Sequence, residues 1–146
     1  MICKNFENED CASCNDHLNI VIKEKRCEYR FINNSRSRYC VVKVDSCLIT
    51  NGKRCDYLLL DCAKDAAYLI ELKGSDITYA IEQILTTLSV LANQLQACAS
   101  LHARIISSKN NVPNFRNHPT FLKLQKQIRA RNGTFFVKNI TLEDSN

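Results

Sequence analysis

Apolar residues in this chain fall into short runs separated by polar turns, with one long stretch at the three-to-four spacing of a helix. CDYLLLD (55–61) and AAYLIELKG (66–74) are almost continuously apolar and of buried-strand length, and a turn in the CAKD segment joins them. YCVVKVDSCLIT (39–50) predicts a strand before them, ended by Asn51-Gly52, whose residues both tolerate positive φ and so mark a hairpin. Together these runs predict a three-strand meander. SDITYAIEQILTTLSVLANQLQACAS (75–100) predicts the longest helix, capped by Ser75 or Asp76. Its stripe of Ile77, Ile81, Ile84, Leu88, Leu91 and Leu95 should pack on the sheet. HARIIS (102–107) predicts a fourth strand, reached by a right-handed crossover. PTFLKLQKQIRARNG (119–133) predicts a second helix between Pro119 and Gly133, and GTFFVKNIT (133–141) a final edge strand. Residues 18–32 read either as a short helix carrying Glu24 and Glu28 or as a strand. Residues 1–17 are expected to be a loose Cys-rich arm and 142–146 a frayed tail. The fold class that follows is α/β, in a three-layer α+β arrangement around a mixed sheet.

Composition narrows this picture. A chain of 146 residues with 45% hydrophobic content is expected to form one domain, 1–146. No apolar run approaches the roughly 20 residues that span a bilayer, and the N-terminus lacks the apolar stretch of a signal peptide. A cytoplasmic location and no membrane partner are therefore expected. The nine cysteines are odd in number and most lie in apolar runs, so reduced, buried thiols are expected. Cys3, Cys11, Cys14 and His17 have the side chains of a zinc knuckle, but no second C-x-x-C or H-x-x-x-H follows, and zinc is not expected there. The net charge of +5 permits nucleic-acid binding without requiring it. There is no Gly-rich phosphate loop, no G-x-S-x-G and no H-E-x-x-H. The histidines (His17, His102 and His118) are scattered, and no cysteine has a context that would activate its thiolate.

The charged residues within the apolar hairpin carry the chemistry. If Asp61 lies opposite Ala66, counting back along both strands sets Asp56 opposite Glu71. Side chains alternate faces, so Glu71 and Lys73 share one face while Leu72 points away. Asp56, Glu71 and Lys73 then form an oxygen-rich site for a hard divalent cation with an ammonium beside it. Folding the preceding strand back around Asn51-Gly52 pairs Ile49 with Arg54 and sets Cys47 beside Asp56. Asp45 then lies one alternation beyond, as a further acid or as an ion-pair partner of Lys43 or Arg54.

Asp56, fourteen intervening residues and then Glu71-Leu72-Lys73 resembles the D…(D/E)-x-K signature of the PD-(D/E)xK nuclease superfamily. The likeness covers about residues 29–107 and extends to the order of elements. Cys55 stands where the motif's name has proline. The resemblance implies a restriction-endonuclease-like core and Mg²⁺ or Mn²⁺ held by Asp56, Glu71 and the main-chain carbonyl of Leu72. Lys73 would position the attacking water. It further implies an acid from the first helix, for which Glu28 and Glu24 are the local candidates, and a glutamine in the crossover helix that Gln83 resembles. Lys53, Arg54, Lys123, Lys126 and Arg129 are candidate phosphate contacts. Nucleic acid is the expected partner, and many nucleases with this core dimerise. The alternatives from other classes are an inactive nucleic-acid-binding or protein-interaction module on the same fold, and a metal-binding protein built on the cysteines.

Overall fold

The computed structural model describes residues 1–72, 76–108 and 115–146. In chain order its strands are β1 (Ala12–Asn15), β2 (Asn19–Glu24), β3 (Cys27–Ile32), β4 (Tyr39–Lys43), β5 (Tyr57–Asp61), β6 (Ala66–Glu71), β7 (Ser100–Ser107), β8 (Phe135–Asn139) and β9 (Thr141–Ser145). The helices are α1 (Ile77–Val90), α2 (Ala92–Leu95) and α3 (Pro119–Ala130), with a 3-10 turn at Ile2–Asn5. A six-stranded mixed sheet has the order β1-β4-β5-β6-β7-β8, and β2-β3-β9 form a second sheet of three strands. β4, β5 and β6 are an antiparallel meander, whereas β6, β7 and β8 run parallel, with α1 in the β6–β7 connection and α3 in the β7–β8 connection.

The β5–β6 register follows from one side chain. Asp61 Oδ1 accepts the N–H groups of Ala63 and Lys64, both at 3.0 Å, and Oδ2 accepts the Tyr39 hydroxyl at 2.8 Å. This closes the turn with Asp65 at positive φ and pairs Asp61 with Ala66, the register anticipated from the turn. The centre of the large sheet is buried on both faces, which is why β5 and β6 are continuous apolar runs rather than alternating ones. Leu58, Leu60, Ala67, Leu69, Ala103 and Ile105 pack toward α1 and α3. Leu59, Ile70, Leu72 and Ile106 pack toward the small sheet. The result is three layers, helices on six strands on three.

The single helix expected over residues 75–100 is two, α1 ending at Val90 and α2 covering Ala92–Leu95, and Ser100 already belongs to β7, but the apolar stripe keeps its inward face. Asp76 caps α1 by accepting the Tyr79 N–H, and Ile77, Ile81, Ile84, Leu91 and Leu95 are buried. α3 begins at Pro119 with His118 as its cap. Past its end, Gly133 approaches the backbone of Leu101 so closely that a Cβ would sit 1.4 Å from that residue's carbonyl oxygen, so no larger residue fits this contact.

Elsewhere the structure corrects the sequence reading. Of the two readings of residues 18–32 the strand one holds, and the helix that would carry Glu24 and Glu28 does not form: Ile20, Ile22, Tyr29 and Phe31 alternate inward and Lys25 takes the positive φ of a tight turn. The 39–50 strand stops at Lys43; Ile49 N–H returns to the Val44 carbonyl, so residues 44–49 form a turn and Val44, not Cys47, meets Asp56. The tail is a strand as well. Buried Arg104 donates to Asp144 at 2.7 Å, and the Tyr29 hydroxyl donates to the same carboxylate at 2.7 Å, which holds β9 parallel to β3.

The loose arm is the largest correction. Ile2, Cys3 and Phe6 are buried in the helix-side core, and β1 pairs with β4. Disulfides Cys3–Cys62, Cys11–Cys47 and Cys14–Cys40 fasten this segment, so the expectation of nine reduced thiols is overturned; Cys27, Cys55 and Cys98 are free and buried. Disulfides persist in oxidising surroundings and not in the reducing cytoplasm that was expected. No helix among the described residues is long and apolar enough to cross a membrane.

Each disulfide removes conformational freedom from the unfolded chain. Replacing Cys3 and Cys62 together by serine should cost about 2–4 kcal/mol of stability, read as a lower urea midpoint without reductant. An unchanged midpoint would show that the N-terminal segment lies outside the cooperative core.

Candidate active site

The register that pairs Tyr57 with Ile70 places Asp56 across from Glu71 at the open end of the hairpin. Asp56 alternates with Leu58 and Leu60, and Glu71 with Ala67 and Leu69; all four of those apolar side chains belong to the helix-side core. Both carboxylates therefore stand on the face covered by α1, and each residue is only 2% exposed. Asp56 Oδ2 accepts the N–H of Leu72 at 2.7 Å, across the strand pair, which turns the Asp56 carboxylate toward the end of β6. The Leu72 side chain packs on the opposite side, in the core shared with the small sheet.

α1 holds the segment that delivers Asp56. Gln83 Nε2 donates to the Arg54 carbonyl at 3.0 Å, and Thr87 Oγ1 accepts the Cys55 N–H at 2.8 Å while donating to the Gln83 carbonyl at 2.8 Å. Gln83 thus acts on the backbone two residues before Asp56 rather than as an exposed helical glutamine. The sequence does not single out Thr87, and it marks Cys55 only as the residue at the motif's proline position. The available signal was Thr87 itself, a hydroxyl on the buried side of a helix, where an unbonded polar group is costly. Burial pushes the Cys55 thiol up, and the negative charges of Glu71 and Asp56 push the same way, so Cys55 is a neutral thiol and not a nucleophile.

The remaining candidates divide by position. Asp45 Oδ1 accepts Arg54 Nε at 2.8 Å, the local ion pair that was one of its two readings. Arg54 also donates to the Gly52 carbonyl, so it is engaged in shaping this loop. Glu28 is not brought to the site. It lies on the outward face of β3, pairs with Arg30 at 3.3 Å and belongs to the small sheet, because the expected helix is a hairpin. Glu24 ends β2 in that same sheet. Lys73 lies outside the described residues.

Lys53 and Lys123 line one cleft with Glu82, Thr86 and Thr120, between α1 and the start of α3. Lys53 is ion-paired with Glu82, a contact that raises its pKa. Lys126 and Arg129 are exposed on the same outer face of α3 as Lys123, since Phe121, Leu124 and Ile128 take the inner one. Arg131 is different: its guanidinium donates to the carbonyls of Leu95, Gln96 and Cys98, where it closes α2. Cys3, Cys11 and Cys14 enter three separate disulfides and His17 is exposed, so the knuckle set does not assemble.

The donor set at the end of the hairpin fits a hard cation. Two carboxylates on neighbouring segments, with the main-chain carbonyl of Leu72 directly after Glu71, would offer oxygen only, a donor set that suits Mg²⁺ or Mn²⁺ and disfavours soft ions. Burying two acids on one face costs several kcal/mol unless each is paired or holds a cation.

Thr87→Val removes the acceptor of the buried Cys55 N–H. It should destabilise the protein by about 1–3 kcal/mol in equilibrium denaturation, whereas Thr87→Ser should stay near the parent. Equal stability of the valine variant would show that this bond does not anchor the Asp56 segment. Comparison of the chain with models of protein families, with curated proteins and with solved structures finds no match.

Proposed function

We propose that the protein is a metal-dependent nuclease that hydrolyses phosphodiester bonds of DNA or RNA, with a PD-(D/E)xK-type site on a restriction-endonuclease-like core. The observation that carries this reading is the placement of Asp56 and Glu71 on one face of adjacent strands, just before β5 and at the end of β6. The order of meander, helix and parallel strand around them supports it.

Asp56, Glu71 and the Leu72 carbonyl would hold Mg²⁺ or Mn²⁺, which supplies a bound water of lowered pKa and positive charge for the scissile phosphate. The chain's own contribution is positional. The Leu72 N–H holds Oδ2 of Asp56 and so orients its carboxylate. α1 shields the site from bulk water on one side, and Gln83 and Thr87 fix the backbone that carries Asp56. Lys73, two residues after Glu71, would orient the attacking water and stabilise charge on the phosphate. Lys53 and Lys123 in their shared cleft, with Lys126 and Arg129 beyond it, would draw the nucleic-acid backbone toward this end of the sheet without reading sequence. A homodimer would let two such sites act on one duplex.

Incubation with labelled duplex and single-stranded DNA and RNA should give cleavage with Mg²⁺ or Mn²⁺ and none with EDTA. Lys73→Ala should abolish it with the fold intact. Asp56→Asn should also abolish it while leaving the melting temperature equal or higher, because an amide oxygen still accepts the Leu72 N–H and carboxylate repulsion is relieved. Unchanged cleavage by Lys73→Ala removes the enzyme reading. Salt-sensitive binding that needs no metal and leads to no cleavage would favour the inactive nucleic-acid-binding module instead.

A further inference from the structure

At the other end of β5 from Asp56, two disulfides lie side by side. Cys62, immediately after β5, bonds Cys3, and Cys40 in β4 bonds Cys14 in β1. The sulfurs of Cys40 and Cys62 are 3.7 Å apart, and those of Cys3, Cys40 and Cys62 all lie within 4.8 Å of one another. These three residues are at most 6% exposed, and Cys14 brings a fourth sulfur through its bond to Cys40. A tetrahedral zinc ion with Zn–S bonds of about 2.3 Å spaces its thiolates about 3.8 Å apart. The Cys40–Cys62 separation already has that value. A cluster of several irons would need its thiolates spread wider than these sulfurs are.

We propose that, once these two disulfides are reduced, Cys3, Cys14, Cys40 and Cys62 form a structural four-thiolate zinc site. Each disulfide takes two electrons and two protons from a dithiol reductant, which is itself oxidised to a disulfide. Zn²⁺ then displaces the four thiol protons to solvent. Four protein ligands leave no open position, so the ion is structural and not catalytic. It replaces two covalent links with one coordinate centre across the same elements, the N-terminal turn, β1, β4 and the end of β5. The N-terminal segment therefore stays fastened in a reducing compartment as well as in an oxidising one. The chain's C-x-x-C is split: Cys14 belongs to the site, while Cys11 is bonded to Cys47.

The test uses the full chain, fully reduced by a phosphine without oxygen, loaded with Zn²⁺ and dialysed against a weak chelator. The site predicts one retained zinc per chain, and Co²⁺ in its place should give the intense visible bands of tetrahedral thiolate coordination. Alkylation followed by mass mapping should show Cys3, Cys14, Cys40 and Cys62 reacting at least about tenfold more slowly with zinc than without it, since bound thiolates are poor nucleophiles. Cys11 and Cys47 should react equally in both. Cys11→Ser with Cys47→Ser should keep the metal, and Cys40→Ser with Cys62→Ser should lose it. Loss of all zinc on dialysis would overturn the proposal, as would full retention by the Cys40→Ser, Cys62→Ser variant. Should that variant not fold, the alkylation pattern of the parent chain decides: protection that excludes Cys40 and Cys62 overturns the site.

Discussion

The pairing register of β5 against β6 is the constraint on which the candidate site depends. Side chains alternate with a period of two, so a slip of one residue would turn Asp56 and Glu71 onto opposite sides of the sheet. Asp61 guards against that slip. Its carboxylate is shared between the turn N–H groups and the Tyr39 hydroxyl, so it fixes the turn and ties it to the neighbouring strand. The Asp56–Leu72 bond closes the same ladder from the far end. The acids at the two ends of β5 have separate tasks: Asp61, its last residue, sets the geometry, and Asp56, just before it, belongs to the candidate site.

The centre of the fold was legible because it is repetitive and buried. Continuous apolar runs gave β5 and β6, the three-to-four stripe gave α1, and the turn around residues 62–65 gave the pairing of Asp61 with Ala66. The face shared by Asp56 and Glu71 followed by counting. Lys53 and Lys123 come together in one cleft through the α1–α3 packing, which no local pattern specifies.

What was not legible depends on partners distant in sequence. The LEDSN segment (142–146) looks like a tail until Arg104 and Tyr29 are brought to Asp144, 40 and 115 residues away in the chain. Glu28 looked like a candidate acid because 18–32 fits a helix or a strand, and only packing against the large sheet selects the hairpin. The apolar run from Tyr39 suggests a longer strand than forms, because Val44 and Ile49 close a turn on one another rather than continue the pleat. Cysteine pairing is not encoded in spacing, so nine thiols in apolar runs gave no warning of three disulfides. These features share a consequence: both ends of the chain are fastened to the central layers, which makes the hairpin a rigid mount rather than an edge.

A rigid mount is what a two-carboxylate site requires, since a displacement of about 1 Å is enough to disable positioned chemistry. The most direct test is anomalous diffraction from crystals soaked in Mn²⁺. The account predicts a manganese peak within bonding distance of an Asp56 and a Glu71 carboxylate oxygen, on the α1 side of the sheet, and its disappearance in Asp56→Asn. Manganese bound elsewhere, with the Asp56 and Glu71 carboxylates free of it at saturating concentration, would contradict it.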